Sequence, residues 1–209
     1  MGIRSTQPRH GLFGAGLILA VITGLVLWGF AHVSGQAQNV VTAESSADLI
    51  EALEDVGGGE VTIELTEDEY VLNEAYKDSD NGLPTITGDV TIEGNDATIR
   101  VRQSSSDIFR VLQVDSGGTL NLYDVMIRGA VNDFSGVVGI LNSGGNLALT
   151  NTTVSRNTNR SNAIGIRNDG GNLTLTNSTV SGNGGDRGGG GIRKHRGATV
   201  TLTNTTVSG

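Results

Sequence analysis

From about residue 60 onward, apolar and polar residues alternate in short runs punctuated by glycine and asparagine. "EVTIEL" at 60–65, "GDVTIEGNDATIRV" at 88–101, "GGNLALTNTTVSRN" at 144–157, "GGNLTLTNSTVSGN" at 170–183 and "GATVTLTNTTVSG" at 197–209 all carry the pattern. A two-residue period is that of a β-strand with one face buried. The runs also repeat. Leu120, Leu147, Leu173 and Val200 are 27, 26 and 27 residues apart, and Leu122, Leu149, Leu175 and Leu202 follow in step. Asp124, Asn151, Asn177 and Asn204 form the next column, then Ile127, Val154, Val180 and Val207. Upstream, Val114, Ile140, Ile166 and Ile192 align at steps of 26, with Leu112, Val138, Ile164 and Gly190 two places before them.

A repeat of this length implies units stacked on copies of themselves. Helical repeats need long amphipathic helices, which the glycines, β-branched residues and two-residue alternation exclude. A leucine-rich repeat has one strand per unit, whereas each unit here has at least two. The solution left is an all-β solenoid, a parallel β-helix in which each coil pairs with the next. In it Leu173 and Leu175 point inward, and Thr174 and Thr176 point outward. Asn177 is expected to turn the corner with its amide bonded to the equivalent Asn one coil away, and Gly170 and Gly171 to permit the preceding tight turn. At about 4.8 Å per coil, about five to six coils over residues 60–209 give a rod of roughly 25–30 Å. "TEDEYVLNEAYKDSDNGLP", residues 66–84, interrupts the alternation and reads as an excursion.

Residues 38–59 read as an N-terminal segment with a short helix over the first coil. In "SSADLIEALEDVGGG", Ser45 is an N-cap with Asp48 three places on, Leu49, Ile50, Leu53 and Val56 form an apolar stripe, and glycines stop the helix. Nothing comparable covers the far end, where Gly209 falls in mid-phrase. A longer polypeptide, a second subunit over the last coil and a frayed coil are the three explanations, the first being the expectation.

These residues resemble the right-handed parallel β-helix repeats of secreted and cell-surface proteins in the pectate-lyase-like group of bacteria and archaea. The repeated "LTLTNSTVSGN…GGGGI" carries the likeness, and "DLIEALEDVGGGEVTIEL" resembles that group's start, a capping helix leading through a Gly-rich turn into the first strand. The resemblance spans about residues 45–209 and implies a right-handed coil. Its members include polysaccharide lyases and hydrolases, adhesins and envelope proteins, so it specifies fold far better than activity. A lyase of the group would use clustered acids as calcium ligands and an Arg or Lys base on one sheet.

The first 37 residues differ from the rest. "GLFGAGLILAVITGLVLWGF", residues 11–30, has no charged residue and follows Arg4, Arg9 and His10. That is an export signal, with cleavage expected after Ala37, or a retained anchor that touches the membrane through residues 11–30. Either sends the remainder outside the cytoplasm, secreted or on the cell surface. The absence of cysteine then removes disulfides and thiol chemistry. With 4% aromatic residues and 32 glycines, the chain suits a narrow aliphatic core.

Residues 38–100 hold 16 acids against Lys77 and Arg100, while residues 101–209 hold six acids against ten bases. An acidic exported domain excludes nucleic acid as the expected partner, and the polarity favours end-to-end self-association. The outward column beside Ile140, Ile166 and Ile192 reads Leu141, Arg167 and Arg193, preceded by Asp115. Stacked Arg167 and Arg193 could hold an anionic group of a surface glycan. No calcium cage accompanies them, and His195 in "RKHRG" has no partner in sequence. No catalytic residue, metal site or cofactor is assigned. Sequons at Asn151, Asn177 and Asn204 fall on corners expected to face inward, which leaves Asn172 as the exposed one. The expected function is a non-enzymatic structural or adhesive surface component or filament subunit. A polysaccharide lyase or hydrolase fragment and a glycan-binding module are the alternatives.

Overall fold

The computed structural model describes residues 39–56, 59–77, 79–102, 109–132, 139–159, 163–185, 189–195 and 197–209; the apolar run 11–30, the expected cleavage at Ala37 and Val138 lie outside them. The described chain is a right-handed parallel β-solenoid with one N-terminal helix. Three main sheets run along it. The first contains Asn39–Ala43, Glu60–Leu65, Asp89–Glu93, Thr119–Tyr123, Asn146–Thr150, Asn172–Thr176 and Thr199–Thr203. The second contains Glu69–Leu72, Thr98–Val101, Met126–Arg128, Thr153–Ser155, Thr179–Ser181 and Thr206–Ser208. The third contains Leu112–Asp115, Ile140–Ser143, Ala163–Asn168 and Gly189–Lys194. Two-residue strands Val131–Asn132, Thr158–Asn159 and Gly184–Gly185 line a further edge.

Register in the first sheet follows the apolar columns. Leu120, Leu147, Leu173 and Val200 pair in order, as do Leu122, Leu149, Leu175 and Leu202. Val90 and Ile92 extend these columns toward the N-terminus, followed by Val61 and Ile63. Alternation sends the leucines into a shared core and the threonines to the surface. Removing one such leucine would leave a hole that rigid neighbouring coils cannot close.

The third sheet departs from the sequence alignment. Ile140 pairs with Leu112, and Val114 pairs with Asn142, so Val114 is not one coil before Ile140. The step from Leu112 to Ile140 is 28 residues, against 26 from Ile140 to Ile166. A slip of two residues preserves which side chains face inward, so alternation alone does not detect it. The same shift puts Gln113, not Asp115, opposite Leu141.

The corner bears out the expected amide contact between coils at one step and corrects its direction: Asn204 Nδ2 donates to Asn177 Oδ1 at 3.3 Å, but on the exposed side of the turn. Asp124, Asn151, Asn177 and Asn204 adopt φ of 53°, 52°, 50° and 48°, the left-handed region that Asn and Asp tolerate best among residues with a Cβ. This conformation turns Asn151, Asn177 and Asn204 outward and brings the following residue inward. Buried Ser178 donates from Oγ to the carbonyls of Thr176 at 2.9 Å and Leu149 at 3.3 Å, and accepts the Thr152 N–H at 3.1 Å. Thr152 repeats the arrangement one coil earlier, bonding Thr150 and Leu122. The asparagine sets the backbone and, between Asn204 and Asn177, bonds coil to coil at the surface, while the hydroxyl serves the interior.

Buried amides stack elsewhere. Asn142 and Asn168 face inward beside the glycine turns, and Asn157 and Asn183 do so at the edge after the second sheet. Asn157 Nδ2 donates to Asn183 Oδ1 at 3.0 Å, while Asn157 Oδ1 accepts the Ala130 N–H at 3.2 Å.

At the N-terminal end, helix Ser46–Glu54 begins where Ser45 Oγ accepts the Asp48 N–H at 3.2 Å and Asp48 Oδ2 accepts the Glu44 N–H at 3.1 Å. It buries Leu49, Ala52 and Leu53. Asn39–Ala43, within the segment read as lying before the solenoid, is the outermost strand of the first sheet and pairs with Glu60–Leu65. The excursion likewise contains a strand, Glu69–Leu72, in the second sheet. Its Tyr70 is fully buried, donates to the Ala43 carbonyl and accepts the N–H of Thr66 at 3.0 Å and of Glu67 at 3.2 Å. That phenol ties the first strand to the coil beneath it.

Candidate functional site

On the third sheet, alternation and coil register place Leu141, Arg167 and Arg193 one above another. Arg167 is not free to recruit a ligand, because its guanidinium forms an ion pair with Asp169, two residues along the same strand direction. Below it Arg110 donates to Gln113 Oε1 at 2.6 Å and lies 3.4 Å from Asp80 Oδ2; Gln113 in turn donates to Asp115 Oδ1 at 2.6 Å. Burial pushes the Arg110 guanidinium below its ordinary value; Asp80 and Asp115 oppose the shift and Arg167 adds to it. Arg193 is exposed beside Lys194, on an open depression of about 440 Å³ lined also by Ile164, Gly189, Gly190 and Ile192. His195 is exposed, its N–H bonded to the Asn168 carbonyl at 2.9 Å.

A second basic site lies on the second sheet. Arg100 and Arg128 are directly paired in register. Arg128 pairs in turn with Ser155, and Arg156 is the next residue after it. With Arg102, Val101, Gly129 and Glu69 these arginines line a groove of about 680 Å³. Glu69 reaches the groove because strand Glu69–Leu72 pairs with Thr98–Val101, setting it opposite Thr98. Its carboxylate accepts from Arg100 Nη2 at 2.9 Å and from Arg100 Nε, and lies 3.6 Å from Arg128 Nη2. The hydrogen bonds from Arg100, joined by the charges of Arg100 and Arg128, hold the Glu69 carboxyl below its usual value against the opposing effect of burial. The same bonds raise Arg100.

Sequence reasoning passed over this group, although Arg100, Arg128 and Arg156 stand 28 residues apart. That signal is a period slightly longer than the leucine columns, crossing runs that look irregular. Four guanidinium groups in one open groove can hold oxyanions through paired N–H donors.

Among the described residues no three His, Asp or Glu side chains gather as a metal ion would require. The sequon asparagines Asn151, Asn172, Asn177 and Asn204 are all exposed, so the corner positions do not bury theirs. In comparisons with known proteins, no family model, curated protein or solved structure matches the chain.

Proposed function

We propose that this protein is a non-enzymatic structural or adhesive component of the cell surface or of an extracellular filament, in which coil stacks on coil. The added coil comes from a second copy placed end to end or from a longer surface protein of the same repeat. One observation carries the reading: in the first sheet each described coil pairs in parallel register with the next, from Val61 through Val90, Leu120, Leu147 and Leu173 to Val200. The coil of Thr199–Thr203 and Thr206–Ser208 presents an open strand edge, and on it Leu202 is 46% and Val207 43% exposed. Their register partners Leu175 and Val180 are fully buried one coil below. A coil in the same register would bury both side chains and satisfy the edge N–H and C=O groups.

The charge polarity supports an end-to-end arrangement, since acids concentrate in residues 38–100 and bases exceed acids in residues 101–209. The apolar leader supports export. Adhesion to a surface glycan through Arg193 is part of the same reading, with Arg167 contributing only if Asp169 releases it.

Light scattering and electron microscopy of the exported protein test the proposal. Rods longer than one molecule, or the same rod embedded in a longer surface protein, would support it. A monodisperse monomer that releases sugars from an acidic polysaccharide would overturn it.

A further inference from the structure

We infer that the groove on the second sheet binds a ligand carrying two or more phosphate or sulfate groups in line. The site is independent of coil stacking, because it opens sideways on the middle coils.

The cations are arranged in a row. Arg100 and Arg128 occupy consecutive rungs, and Arg156 emerges from the next, one residue past the register partner of Arg128. Parallel rungs lie about 4.8 Å apart, so the row offers successive donors along the solenoid axis. Arg102 lines the same groove. A single small anion would engage only part of this row; groups in line would engage the donors that Glu69 leaves along it.

Charge balance points the same way. Glu69 is the one acid among the described lining residues, set against four arginines. It already satisfies Arg100 and leans on Arg128. An isolated carboxylate from outside would compete with a carboxylate tethered in place, and would gain little. A ligand of higher charge density gains the donors that Glu69 does not use. Arg128 is held by Glu69 only through one long contact from Nη2, at 3.6 Å, and its side chain is 34% exposed, so its terminal nitrogens remain open to a ligand.

The backbone supplies an independent observation. Arg128, Ser155, Ser181 and Ser208 are successive register partners, and the residues after them are Gly129, Arg156, Gly182 and Gly209. All four have positive φ, and Arg156 at 55° is the only one that is not glycine. Glycine adopts this conformation without steric cost and arginine does not. An arginine therefore stands in a glycine's place where its guanidinium can enter the groove. Local strain of this kind gathers at ligand sites.

The lining identifies what is read. Among the described lining residues Val101 and Gly129 are the only uncharged members and none is aromatic, so these residues offer bases and sugar rings no face to stack on. The groove reads oxyanions, either on a small molecule or along a sulfated polymer.

Titration calorimetry at fixed ionic strength, with pyrophosphate in one arm and dextran sulfate in the other, tests this with the exported protein. We expect saturable binding in at least one arm. Pyrophosphate alone would indicate a small ligand, dextran sulfate alone a polymer, and both the anionic groups themselves. Arg128→Gln should weaken binding by about tenfold. Arg156→Gly should weaken it severalfold while leaving the melting temperature unchanged or higher, since glycine suits that corner. Lys77→Gln, which removes an equal charge elsewhere, should bind as the parent does. Failure of both probes to bind, or unchanged binding by R128Q and R156G, would overturn the proposal.

Discussion

Asn142 and Asn168 lie one directly above the other, both fully buried, with Asn142 Nδ2 donating to Asn168 Oδ1 at 2.9 Å. Asn142 Nδ2 also faces the carbonyls of Gly145 and Asn172, and Asn142 Oδ1 accepts the Gly145 N–H. Asn168 Nδ2 donates to Gly171 at 3.0 Å and to Thr199 at 2.8 Å. The amides thus satisfy backbone groups at a turn from which water is excluded. Asn168→Ala should strip partners from several buried groups at once. We expect a loss of about 2–4 kcal/mol by urea unfolding, since each stranded group costs about 1–3 kcal/mol. A loss below about 0.5 kcal/mol would mean that water replaces the amide.

The corner makes a contrasting prediction. If Asn177 is present for its φ of 50°, Asn177→Gly should be nearly neutral. Asn177→Val should cost about 1–2 kcal/mol, the usual cost of a left-handed conformation for a residue with a Cβ. Thermal unfolding of the two variants distinguishes this from a side-chain role, in which both would lose stability equally.

At the exposed coil, Leu202→Lys combined with Val207→Lys should abolish association of exported molecules without lowering the melting temperature by more than a few degrees. Both side chains are already partly in water, so little folding energy is lost, while a stacked partner would have to bury two charges. Sedimentation velocity measures the first effect and calorimetry the second.

Glu69 gives a pH dependence of known sign. Arg100 and Arg128 are the charged groups facing it, and they hold its carboxyl below the usual range. A depressed carboxylate contributes stability that is complete above its unfolded value and lost as pH falls through its folded value. Carbon-detected NMR should show Glu69 titrating below the ordinary glutamate range, and Arg100→Gln should move it back up. In Glu69→Gln this part of the acid destabilisation should disappear.

How far the chain could be read in advance depended on geometry. The Leu147, Leu173 and Val200 column was legible because its strands share one length and one phase. The Val114 column was not, because the Leu112-to-Ile140 coil is two residues longer and a two-residue slip leaves every side chain on the same face. At Asn177 the left-handed residue interrupts the alternation, so Ser178 takes the inward place that a strict two-residue period assigns to its neighbour. The groove was hidden for a further reason. Glu69 belongs to a stretch that reads as irregular, and Arg156 joins Arg128 only through a register offset by one.

The bonds of Asn142 to Asn168 and Asn172 cross from one turn of the chain to the next, and this sets the grain along which the protein can be cut. A segment removed anywhere inside a turn would leave amides without their carbonyls. A segment running from Asn142 up to the residue before Asn168 takes out one full revolution, and the stack can close over the excision. The molecule is divisible, but only in whole numbers.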